Sequence, residues 1–113
     1  MSAITTHILD VSQGRPARGV RVALEFRDAD GWRAVGAGVT DADGRARDLL
    51  APDAAFSAGE YRLTFDTGAY FAEHRTASFY PQVTVCFTVR DAAQHYHVPL
   101  LLSPFGYSTY RGS

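Results

Sequence analysis

At 113 residues, with 46% apolar and 20% charged positions, the chain is long enough for one packed core and too apolar to stay disordered, so residues 1–113 are expected to form a single domain. A formal net charge of −1 gives no electrostatic reason to expect nucleic acid or an anionic membrane as a partner. One cysteine, Cys86, excludes an internal disulfide, no stretch approaches the roughly 20 apolar residues of a membrane span, and MSAITTHILDV lacks a secretion signal's features, so a cytoplasmic protein is expected.

Taken in chain order, the elements are mostly strands. THILDV (6–11) comes first, and two-residue alternation puts His7 on one side with Thr5, Leu9 and Val11. In VRVALEF the apolar Val20, Val22, Leu24 and Phe26 alternate with Arg21, Ala23, Glu25 and Arg27, the pattern of a half-buried strand. DADGW (28–32) and TDADG (40–44) flank the strand-like WRAVGAGV, and each carries an Asp-Gly pair, a hairpin signal. A short strand near 45–49 and GEYRLTF follow. DTGAYFAEH (66–74) has no Val or Ile and begins on Asp and Thr, which predicts one short helix. QVTVCFTVR alternates again, with Val83, Val85, Phe87 and Val89 on one side. HYHVPLLL and GYSTY complete the set. Many short strands at this length predict an all-β sandwich.

With faces assigned, the titratable residues can be placed. On HYHVPLLL, His95, His97, Pro99 and Leu101 share one side, and Tyr96, Val98, Leu100 and Leu102 share the other, which is the better core face. His97 then points away from the sandwich interior among neighbours too apolar for open water. Such a face meets another chain or lines a cavity. Arg45 follows the second Asp-Gly turn, where a guanidinium can be presented to a ligand. Taken singly, each residue is ordinary. A lone strand histidine is most often structural, Arg45 and Arg47 beside a turn are normally solvated, and Tyr110, Arg111, Gly112 and Ser113 would normally fray. His74 and His95 read as exposed residues at a helix end and a strand start. No phosphate-binding glycine loop, HExxH, CxxC or GxSxG occurs.

The segments THILDVSQGRPA, TDADGR, FYPQVTVCFTV and above all YHVPLLLSPFGYSTYRGS closely resemble the transthyretin-like family, and within it the 5-hydroxyisourate hydrolases of purine breakdown. The likeness runs from about residue 4 to the last residue. The carrier branch, transthyretin itself, shares the LLSP strand but lacks the YRGS ending and the paired histidines. Individual family positions map onto His7 in the opening TH strand, Arg45 directly after DG and His97 in YHVPLL. Tyr110, Arg111, Gly112 and Ser113 match the family tail as they stand, and DGRAR leaves Arg47 as an alternative to Arg45.

The resemblance implies a transthyretin-like β-sandwich of two four-stranded sheets with one short helix. It also implies a homotetramer, a dimer of dimers, with active sites in a channel between dimers. The implied reaction is hydrolysis of 5-hydroxyisourate in urate catabolism, giving 2-oxo-4-hydroxy-4-carboxy-5-ureidoimidazoline without metal or organic cofactor. His7, Arg45 and His97 are the implied catalytic residues: histidines for water activation and proton return, and an arginine for the oxyanion. Tyr110, Arg111, Gly112 and Ser113 are implied to bind substrate. A small-molecule carrier using the same channel without chemistry is the main alternative. A zinc site on His7, His95 and His97 is a weaker one, because no acidic or thiolate ligand has motif spacing.

Overall fold

The computed structural model describes residues 2–113. Among these, the elements in chain order are β1 (Ile4–Asp10), β2 (Arg15–Pro16), β3 (Arg21–Asp28), β4 (Gly31–Val39), β5 (Arg45–Ala46), β6 (Gly59–Phe65), α1 (Thr67–Glu73), β7 (Val83–Val89), β8 (Tyr96–Ser103) and β9 (Gly106–Thr109). The strands form two sheets, one ordered β2-β1-β8-β9 with β5 also pairing β1, the other ordered β4-β3-β6-β7. This is the expected all-β sandwich with one short helix. The first sheet exceeds the expected four strands only by the two-residue β5.

Alternation builds the core as the sequence predicts. Val22 and Leu24 of β3, Leu63 and Phe65 of β6, Val83 and Val89 of β7, and Leu100 and Leu102 of β8 are all buried between the sheets. Burying each such side chain contributes about 1.5–3 kcal/mol against conformational entropy. On β1 the inward set is Ile4, Thr6, Ile8 and Asp10. Asp10 is fully buried and fully satisfied: it accepts from Ser12 N and Oγ, from Gln13 N, and from the Tyr70 hydroxyl of α1 at 2.8 Å. That last bond ties the helix to the first sheet. Burial and the neighbouring Asp10 also push the Tyr70 phenol well above its ordinary range. The predicted start of the helix holds, but Asp66 makes no side-chain capping bond.

The Asp-Gly signals separate. Asp28–Gly31 closes the β3–β4 hairpin, as expected. TDADG does not make a hairpin, because β5 pairs with β1 rather than with β4. The turn instead passes the chain from one sheet to the other. Gly44, at φ +74°, makes that passage possible: a Cβ there would lie 2.4 Å from the Ile8 carbonyl oxygen, which only glycine avoids.

Candidate active site

The register of three strands and the tail assembles the candidate residues. β1 and β8 run parallel, with Thr5 opposite His97 and His7 opposite Pro99. On the other side of β1, β5 places Arg45 opposite His7. Beyond β9 the tail continues along β8, where Gly112 N donates to the His97 carbonyl at 2.8 Å. Residues in register share a face, so Arg45, His7 and Pro99 form one rung on the outside of the sheet. Thr5, His97 and Gly112 form the next, about 7 Å away along the strands. A cavity of about 270 Å³ opens beside Arg45, Thr5 and His97 of these rungs, lined by Thr5, Thr6, Arg45, Arg47, His95, His97 and Ser113; His7 is not among its lining residues.

Arg45 is fixed by its turn. Asp41 Oδ1 accepts from the Arg45 backbone N–H at 3.0 Å and from Asp43 N at 2.9 Å, while Asp41 O accepts from Gly44 N at 2.9 Å. These backbone bonds hold the Asp41 carboxylate below its usual range. The Asp41 carboxylate also pairs with Arg47, whose guanidinium lies 3.3 Å away. No carboxylate lies within ion-pair distance of the Arg45 guanidinium among the described residues. Of the two arginines lining the cavity, Arg45 is therefore the one without a direct ion pair, although its charge is still felt by the Asp41 carboxylate.

Both histidines are held below the ordinary value of 6.5. For His7, burial is the main cause and the Arg45 charge adds to it, opposed by a hydrogen bond to the Asp43 backbone and by the Asp41 and Asp43 carboxylates. For His97, burial again leads, followed by Arg45, His7 and His95. Cationic neighbours and desolvation both penalise imidazolium. The rings are thus neutral at neutral pH, the form that can take a proton from water.

The tail residues divide. Ser113 lines the cavity, and Gly112 lies so close to β8 that a Cβ would sit 2.7 Å from His97 Cδ2. Arg111 turns the other way: its guanidinium lies 4.5 Å from the centre of the Tyr96 ring and donates to Gln94 Oε1 at 3.0 Å. Tyr110 is exposed and, with Arg111, borders a separate hollow between β7 and β9. Within one chain the structure therefore brings His7, Arg45, His97, Gly112 and Ser113 together, and places Tyr110 and Arg111 apart from them.

Two cavity residues take a part that the sequence did not suggest for them. Thr5 Oγ1 lies 2.8 Å from His97 Nδ1 and 3.1 Å from His95 Nε2. Alternation had already put Thr5 beside His7 and His95 beside His97, but nothing in the sequence says that β1 and β8 are parallel neighbours. His74 belongs elsewhere, its Nδ1 being 2.8 Å from the Tyr70 carbonyl. No group of three or more His, Cys, Asp or Glu side chains among the described residues is arranged to hold a metal ion.

A model of the HIUase/Transthyretin family matches residues 4–112. The 5-hydroxyisourate hydrolase of Salmonella dublin is 47% identical over 110 residues, covering 97% of this chain and 80% of that protein. The solved 5-hydroxyisourate hydrolase of Klebsiella pneumoniae is 41% identical with a TM-score of 0.85, covering 97% of this chain and 98% of that one. Sea bream transthyretin, solved in complex with thyroxine, is 36% identical with a TM-score of 0.91, covering 98% and 95%. The backbone matches an enzyme and a thyroxine-binding protein alike, so side chains must decide between chemistry and binding.

Proposed function

The chain belongs to the HIUase/Transthyretin family, and on that premise we propose that it works as a hydrolase opening the ring of 5-hydroxyisourate at His7, Arg45 and His97. The enzyme hydrolyses 5-hydroxyisourate in urate catabolism. Water attacks a ring carbonyl, and the C–N bond opens to give 2-oxo-4-hydroxy-4-carboxy-5-ureidoimidazoline. His7 and His97 share water activation and proton return, and Arg45 stabilises the oxyanion through its fork of N–H donors. Ser113 is a positioning donor at the cavity mouth, and Gly112 lets the tail lie against the His97 ring. Arg111 serves the site indirectly by clamping the tail to Gln94 and Tyr96. Residues 1–113 act as one hydrolase domain in the cytoplasm.

The observation that carries this reading is that Arg45 and His97 line one cavity while His7 pairs with Arg45 across the neighbouring strand, both imidazoles being held below their ordinary pKa. A carrier would not need histidines whose pKa values are depressed beside a free guanidinium. An ultraviolet assay with freshly generated 5-hydroxyisourate tests it: catalysed decay above the spontaneous rate is expected, and decay at the spontaneous rate would leave only the carrier.

The assembly is a homotetramer built as a dimer of dimers. What supports it is the outer face beside the site, where Leu9 and Leu101 share a rung and remain only half-buried in the single chain. Light scattering should give about four times the 12.3 kDa chain mass; a fully active monomer would contradict it.

A further inference from the structure

We propose that Thr5 is a positioning residue and proton carrier that links His97 to His95 and sets the tautomer of His97. This rests on the hydrolase reading above. Thr5 is only 4% exposed, and its Oγ1 bridges His97 Nδ1 at 2.8 Å and His95 Nε2 at 3.1 Å. A hydroxyl has one proton to donate. When it donates to one ring and accepts from the other, the two tautomers are locked together. With His97 protonated on Nδ1, the hydroxyl donates to a bare His95 Nε2, so His95 is protonated on Nδ1 as well. With His97 protonated on Nε2, it accepts from His95 Nε2–H. Both rings then carry their proton on the same-named nitrogen.

This bridge allows one ring to serve as base and then acid. Among the described residues His97 Nε2 has no hydrogen-bond partner, while its Nδ1 is held by Thr5. During attack, water gives a proton to Nε2 as its oxygen bonds to the ring carbonyl. The Nδ1 proton passes to Thr5 Oγ1, the Thr5 proton passes to His95 Nε2, and exposed His95 releases its Nδ1 proton to solvent. During collapse the hops reverse: Nε2 gives its proton to the departing nitrogen as the C–N bond breaks, Thr5 reprotonates Nδ1, and His95 Nε2 restores the Thr5 hydroxyl. His95 then recovers a proton on Nδ1 from solvent. The wire is reset, and the new carboxylic acid loses its own proton to water. Imidazolium is avoided at His97, the ring that burial, Arg45 and His7 keep from charging.

The test combines the resting protein with turnover. Nitrogen-15 spectra of the imidazoles at mildly alkaline pH should show His97 and His95 both protonated on Nδ1; opposite tautomers would break the donor–acceptor chain through Thr5, both rings protonated on Nε2 would leave no bare Nε2 to take the water proton, and either result would overturn the relay. Thr5→Val keeps the shape but removes the hydroxyl, so kcat should fall roughly 10-fold or more with little change in KM. Thr5→Ser should recover most of that loss. Equal damage in both variants would reduce Thr5 to a packing role, and wild-type kcat in Thr5→Val would sink the relay. Should Thr5→Val fail to fold, the tautomer spectra of the native protein still decide. Full activity in His97→Asn would instead overturn the hydrolase site itself, a result distinct from any of these.

Discussion

The outer faces of the two sheets are made by the same alternation of side chains, yet their charges are arranged in opposite ways. On the β4-β3-β6-β7 sheet three cations are matched: Arg62 bonds Glu25 at 2.7 Å and lies over Trp32, Arg27 pairs with Glu60 at 3.1 Å, and Arg33 pairs with Asp28 at 3.2 Å. On the β2-β1-β8-β9 sheet Arg45 makes no direct ion pair among the described residues and stands beside two histidines that it helps to keep neutral. The β4-β3-β6-β7 sheet nevertheless carries the larger hollow, about 630 Å³, lined by Arg21, Ala23, Val39, Thr64 and Asp66 among others. It contains no histidine. The contrast teaches that pairing makes a charged surface inert, and that an unpaired cation beside desolvated imidazoles marks chemistry better than cavity size does.

The sharpest way to break this contrast is His97→Asn, which should lower kcat by about 100-fold or more, within the range of general acid–base catalysis, while leaving the thermal melt near that of the parent. A variant that melts early but keeps its specific activity would make His97 structural. Next, Arg45→Ala should cost about 100-fold in kcat/KM, the scale of a lost oxyanion donor. Arg47→Ala, whose charge is already matched by Asp41, should cost far less. Equal losses would remove the distinction between paired and unpaired cations.

A smaller effect is expected from Gly112→Ala. The added Cβ must push against the His97 ring or Pro99, so turnover should drop several-fold with the fold retained; unchanged kinetics would mean that the tail does not press on the site. The pH profile sharpens the same comparison. Because both histidines are depressed below 6.5, the acid limb of kcat/KM should fall below that value. Stability has the matching sign. Near and below pH 6.5 the unfolded chain takes up protons that folded His7 and His97 resist, so stability declines as pH falls through this window, and His97→Asn should flatten the decline. An acid limb above pH 6.5 would contradict the neutral resting state. The smallest effect belongs to the matched face: Arg62→Ala should leave turnover unchanged and lower the melting temperature only slightly, and a large loss of activity would show that the two faces are not functionally separate.

Much of this molecule is legible without its fold. Two-residue alternation assigned inner and outer faces to Val22 and Leu24, to His97 and Val98, and to His7, because strand geometry makes neighbouring side chains point to opposite sides whatever the rest of the chain does. The YRGS ending and the residues around His7, Arg45 and His97 carried the family resemblance for the same local reason. Pairing was not legible. The Asp-Gly of TDADG looked like a hairpin because its turn chemistry is local, whereas the partner of the following strand is chosen by which sheet has a free edge and by whether a glycine permits close approach at position 44. Likewise, Thr5 and His95 acquire meaning only when β1 and β8, about 90 residues apart in sequence, lie parallel and bring Oγ1 between two rings. Arg111 is implied by the family tail to bind substrate, and its contacts with Tyr96 and Gln94 are visible only in the fold. Amino-acid order sets which groups are present and which way each faces along its own strand. Which of them meet is settled by the folded chain, because contacts between distant segments depend on strand order and register, to which local propensity contributes nothing.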